Sequence, residues 1–187
     1  MEQNLVQSTL QGNMSAFSIL VEKNRHIAFS VAFRIVNNRQ DAEEVVQDAF
    51  MKAFRALGSF RGESKFSTWL CRIVVRCALS RRKRVQRWFG TISAAEMPDV
   101  ACDAVEESYK QLSNREQKFY IEKVLNEMSV EERLLLTLYY LHEQSLEEVA
   151  EITDISMPNV KMKLHRARKK MYLLMQKELP HESHTLL

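Results

Sequence analysis

Glycine and proline are scarce, at 4 and 3 of 187 residues, where average usage would supply about 12 % together. Turn-rich architectures are therefore not expected. Gly12, Gly58, Gly62 and Gly90 are too scattered for a dinucleotide fingerprint or a P-loop, both of which need clustered glycines at fixed offsets. Cysteine is also rare. Cys71, Cys77 and Cys102 form no CxxC pair, which fits buried reduced thiols better than a disulfide framework or a zinc site, and no metal or other cofactor is expected. Long apolar runs are missing too. The longest, LLLTLYYL at Leu134–Leu141, falls well short of the roughly 20 residues of a spanning helix. The segment MEQNLVQSTLQGNMS has neither a basic nor an apolar signal region. A cytoplasmic protein is expected.

What is present suits a soluble, mostly helical chain: 45% hydrophobic and 27% charged residues, enough for a core and ordinary for a globular surface. The net charge of +3 hides strong blocks. Arg72, Arg76, Arg81, Arg82, Lys83, Arg84 and Arg87 occur with no acid between Cys71 and Gly90. Lys161, Lys163, Arg166, Arg168, Lys169, Lys170 and Lys177 do the same between Met157 and Lys177. Acids concentrate in Glu96–Glu107 and Glu143–Asp154. Either basic block alone could be a solvated helix face; two together point to a polyanion such as nucleic acid.

Apolar residues Phe17, Leu20, Val21, Ile27, Val31, Ile35 and Val36 recur at helical spacing and predict one helix over about 15–36, broken by Asn37 and Asn38. A second helix is predicted over 40–57, with Gly58 at its C′ position. After the loop FRGES, a third runs from Phe66 to about Arg84. From Gln86 to about Ser113 the periodicity fades, which reads as an exposed, extended linker. Four shorter helices follow, over about 117–128, 130–142, 146–153 and 157–178, two of them opened by the capping-box pairs Ser129/Glu132 and Ser145/Glu148. The fold class is all-α, with two small helical domains joined by an acidic linker: 1–88, 89–114, 115–180 and a tail at 181–187.

SLEEVAEITDISMPNVKMKLHRARKKM carries the pattern of a helix-turn-helix. Ala150 is small where two helices must approach, Ile155 sits in the turn, and Val160, Leu164, Ala167 and Met171 form an inward stripe. That leaves Asn159, Lys161, Met162, Lys163, His165, Arg166 and Lys169 toward solvent. A recognition helix needs such a face, with amide and guanidinium groups for base edges and cations for phosphates. A plain helical hairpin with a basic face is the alternative.

At these residues the chain resembles the extracytoplasmic-function (group 4) sigma factors of the sigma-70 family of bacterial RNA polymerase. DAEEVVQDAFMKAF resembles region 2.2, FRGESKFSTWLCRI resembles region 2.3 and the start of 2.4, and SLEEVAEITDISMPNVKMKLHRAR resembles region 4.2, in the family's order. The resemblance implies a factor that binds core RNA polymerase, recognises minus-35 and minus-ten elements and promotes melting, with no catalysis and no small-molecule substrate. Asp41, Glu44, Gln47 and Asp48 would dock on the coiled coil of the largest subunit, and the flap of the second-largest subunit is a further implied contact. Phe60, Trp69 and Leu70 would serve melting, Phe66 being the better candidate for core packing. Arg72, Arg76, Arg81, Arg82 and Arg84 would grip minus-ten DNA, mostly its phosphates. Lys161, Met162, His165 and Arg166, with Asn159 beside them, would read the minus-35 element, and Lys163, Arg168 and Lys169 would contact phosphates. Promoter DNA, core polymerase and an anti-sigma factor are the implied partners.

Four positions depart from the family pattern: Cys71 where Tyr or Phe is usual, Arg76 where Asn is frequent, Ser129 where Pro is common, and Asp154 where the turn usually has Gly. Asp tolerates the left-handed conformation, so the turn is expected to survive. Arg76 bears on which minus-ten bases are read, since a guanidinium favours guanine or phosphate. Two rival readings fare worse. A dimeric operator-binding regulator would leave DAEEVVQDAF and FSTWL without a task, and an enzyme built on Glu43, Glu44 and Asp48 lacks accompanying His, Cys or glycine loops.

Overall fold

The computed structural model describes residues 2–89 and 114–178, with side chains over 2–83 and 120–178. The linker, Cys102, the tail and the side chains of Arg84 and Arg87 lie outside the described residues. Helices α1 (Glu2–Leu10), α2 (Met14–Val36), α3 (Arg39–Ala56) and α4 (Phe66–Phe89) make the first unit. Helices α5 (Asn114–Glu127), α6 (Val130–Leu136), α7 (Leu146–Thr153) and α8 (Met157–Glu178) make the second. Among the described residues there is no strand, and no helix is long and apolar enough to cross a membrane.

The asparagine pair both ends and begins a helix. Asn37 is left-handed, with φ 53, and its N–H donates to the Phe33 carbonyl, closing α2. Asn38 is extended, and its side-chain oxygen accepts the Asp41 N–H at 3.0 Å, opening α3. Small residues let the three long helices approach closely: Ala28 and Ala32 on α2, Ala42, Ala49 and Ala53 on α3, and Ala78 on α4 are all fully buried, with Leu20, Val31, Ile35, Leu70 and Val74 filling between them.

Three expectations need correction. Helix α1 was not foreseen; it buries only Val6 and Thr9, too sparse a stripe to register as periodicity. It is held by Asn24, whose amide donates to Glu2 and to the Leu20 carbonyl. Gly58 is not a left-handed cap, because the chain tightens there into a 3₁₀ turn over Leu57–Ser59. In the loop that follows, Gly62 takes a positive φ of 74, and its carbonyl accepts from Gln3 Nε2 at 3.1 Å. The segment 130–142 is not one regular helix: α6 widens into a π turn at Thr137–Leu141, followed by Glu143 at φ 49. Its consecutive leucines, Leu134, Leu135 and Leu136, are all buried because α6 is covered on one side by α8 and on another by α2.

Candidate nucleic-acid interface

Both predicted capping boxes form, each Ser side chain accepting from the N3 backbone while the N3 glutamate accepts from the Ser N–H. They fix where α6 and α7 start. Asp154 takes the left-handed conformation, φ 60, and its N–H donates to the Ala150 carbonyl, so the turn forms without glycine. Helix α8 then leaves with Val160, Leu164, Ala167 and Met171 buried. Asn159, Lys161, Met162, His165 and Arg166 are exposed together on its opposite side. Lys163, Arg168 and Lys169 are half-buried on the flanks rather than fully in solvent. Lys163 donates to both carboxylate oxygens of Glu131, at 2.8 and 2.7 Å, and Arg168 donates to the Tyr140 hydroxyl at 3.3 Å.

On the first unit, Phe60, Phe66 and Trp69 form a ring cluster with centroids 5.8, 5.3 and 5.7 Å apart. Phe66 is buried in the core, while Trp69 and Phe60 are half-buried at the edge. Leu70, expected beside Trp69, is instead fully buried in the bundle at 0% exposure, because the residue after Trp69 on a helix turns inward. Arg76 and Lys83 are exposed, and Arg72 and Arg82 are half-buried. Cys71 is buried, and desolvation pushes its thiol up to about 12, so it is a packing residue and not a nucleophile.

The sequence places Arg81 with the minus-ten cations, and Asp41 and Glu44 with the polymerase face. Folding joins them: Arg81 Nε and Nη2 donate to one oxygen of Asp41 at 3.0 and 2.6 Å, and Nη1 lies 2.8 Å from Glu44. The hydrogen bonds that Arg81 donates to Asp41 raise its pKa further. Gln47 and Asp48, one turn on, remain exposed.

Among the described residues, side-chain bonds join the two units in two places that no sequence pattern announced. Arg34, 6% exposed, donates to both carboxylate oxygens of Glu122 at 2.5 and 2.6 Å and to the Thr137 hydroxyl at 3.1 Å. Further along, Lys65 lies 2.9 Å from Glu148, which also accepts from Thr68 at 3.5 Å. Ser64 donates to Glu151 at 3.1 Å, and Arg72 lies 3.5 Å from it. Burial alone would push the Glu148 carboxyl up, but hydrogen bonds from the Ser145 N–H and from Lys65 outweigh it and the carboxyl falls below its usual range. Partly exposed pairs of this kind contribute about 0–1 kcal/mol each.

A cationic helix beside an aromatic cluster, together with a helix-turn-helix whose exposed face is basic, defines an all-α nucleic-acid-binding protein. Residues 20–89 match Sigma-70 region 2, and residues 118–171 match Sigma-70 region 4. The chain is 32% identical over 173 residues to the RNA polymerase sigma-H factor of Pseudomonas aeruginosa, covering 89% of this chain and 90% of the relative. It is 33% identical over 181 residues to the ECF RNA polymerase sigma-E factor of Escherichia coli K12, with the same coverage. Its fold is similar to that of CnrH in complex with the cytosolic domain of CnrY, at TM-score 0.68 and 22% identity over 94% of this chain and 97% of that one. It is also similar to that of the sigma factor RpoE from Bartonella quintana in complex with the anti-sigma factor NepR, at TM-score 0.67 and 23% identity over 86% and 96%. The chain belongs to the sigma-70 family, as an ECF RNA polymerase sigma factor, a non-enzymatic factor for promoter recognition and transcription initiation.

Proposed function

We propose a division of labour along the chain. Residues 1–88 dock on the coiled coil of the polymerase largest subunit through Glu44, Gln47 and Asp48, with Asp41 and Arg81 bracing that face. The same unit melts and grips the minus-ten element through Phe60, Trp69, Arg72, Arg76, Arg82 and Arg84. Residues 89–114 connect, and residues 115–180 bind the minus-35 element and the flap of the second-largest subunit. The protein works in the cytoplasm, and an anti-sigma factor is its regulator, the type of partner in complex with the Bartonella quintana relative.

The observation that carries this reading is helix α8. Its buried stripe leaves Asn159, Lys161, Met162, His165 and Arg166 exposed as one face, amide first and cations after, the order a major-groove helix uses. In vitro transcription with core polymerase and a library of genomic fragments tests it. Transcripts that depend on the protein and share two upstream elements are expected, and their absence would overturn the reading.

A further inference from the structure

The exposed face of α8 has an order that its net charge conceals. Asn159, Met162 and Arg166 are all exposed, and at spacings of three and four residues they form a single row along the helix. The lysines on either side of Met162 turn away from that row. Lys161 lies close enough to Glu147 of α7 for their charges to interact, and Lys163 donates to both carboxylate oxygens of Glu131 on α6. Met162, 43% exposed, is left at the crest of the helix between an amide and a guanidinium.

A thioether carries no charge and donates no hydrogen bond. It therefore gains little from a phosphate, and its use in a major groove is to cover an apolar group. Among the base edges there, thymine alone offers a methyl, on its C5. The unbranched methionine side chain, with three rotatable bonds and a polarizable sulfur, adapts readily to such a contact.

We propose that Met162 selects a thymine in the minus-35 element through its C5 methyl. This rests on the reading of α8 as the minus-35 helix and adds which base one of its side chains requires. The row also places that thymine. At about 1.5 Å per residue, Met162 stands about 4.5 Å along the axis from Asn159 and about 6 Å from Arg166, on the order of one and two base-pair steps. The thymine accordingly lies between the positions that Asn159 and Arg166 contact.

The test uses holoenzyme assembled from the full chain and core polymerase, on a promoter recovered by library transcription. Each thymine of the upstream element, on either strand, is replaced in turn by deoxyuridine, which keeps base pairing and removes only the methyl. Wild-type holoenzyme is expected to bind one of the substituted promoters about threefold to fivefold more weakly, the effect of one methyl left uncovered. Met162→Ala should bind the thymine and deoxyuridine forms of that promoter equally, whereas Met162→Leu, still long and apolar, should keep the preference. Arg166→Ala should keep it too, while relaxing preference at a different position. An upstream element in which no deoxyuridine weakens binding would overturn the proposal, as would a preference that survives in Met162→Ala. Failure of α8 as the minus-35 helix has a different signature, because base preference upstream would then be indifferent to Arg166→Ala as well.

Discussion

Arg81 on α4 grips Asp41 on α3 through two nitrogens on one carboxylate oxygen, at 3.0 and 2.6 Å. A cation from the basic block and an acid from the polymerase-facing block are thereby one structural unit. Charge reversal at Asp41 would release Arg81 as well as alter the docking face, so the cleaner probe is Asp48, exposed one helical turn beyond Glu44. Asp48→Arg is expected to weaken binding to core polymerase at least tenfold with thermal stability within about 0.5 kcal/mol of wild type. Copurification and a melting curve measure the two.

Trp69 packs at the rim of the Phe60–Phe66 pair, so its truncation has a packing cost as well as a functional one. Trp69→Ala should still assemble with core polymerase but form less open complex, scored by permanganate-reactive thymines near the start site. Trp69→Phe restores much of the packing and separates the two effects. Normal melting by Trp69→Ala would assign the residue to packing alone.

On α8, Arg166 is exposed and Lys169 is half-buried on the flank. Arg166→Ala is expected to cost about 1–3 kcal/mol at one position of the minus-35 element and to relax preference there. Lys169→Ala should weaken all promoters alike and reduce the salt slope by about one. Affinities for single-base promoter variants at two salt concentrations decide between them.

Glu122 is the carboxylate partner of a guanidinium that water hardly reaches. Glu122→Ala leaves Arg34 with the Thr137 hydroxyl alone, at an expected cost of about 1–2 kcal/mol, the low side for a broken buried pair because Glu122 itself is partly solvated. Glu122→Gln should recover part of that by retaining a hydrogen bond. Chemical denaturation compares the three proteins.

His142 titrates below its ordinary value, first because it is buried and then because Arg34 lies nearby. Its Nε2 has no hydrogen-bond partner among the described residues. Below about pH 6.5 the unfolded chain takes a proton that the folded chain refuses, so stability falls as pH drops from about 6.5 toward the lowered folded value. His142→Gln is expected to flatten that part of the profile. Melting temperatures between about pH 7.5 and pH 5.5 for the two proteins check it.

Local chemistry alone determined much of this protein. The Asn37–Asn38 break, both serine capping boxes, the turn at Asp154 and the inward stripe of α8 depend on contacts within a few residues, and they form as the sequence predicts. The exposed face of α8 follows from that stripe, since 3.6-residue periodicity leaves the remaining positions outside. Helix α1 leaves no periodic signal because it buries only two residues, and Gly58 is no left-handed cap because a 3₁₀ turn closes α3. What only the tertiary structure decided is which charges meet. Asp41 and Arg81 are 40 residues apart, Ser64 and Glu151 87, and Arg34 and Glu122 88. In the linear chain these partners stand far apart, with nothing in the local pattern to pair them. Helix packing brings them within hydrogen-bonding distance, because the side of a helix on which a charge lies can be counted from the sequence but the neighbour that side will face cannot.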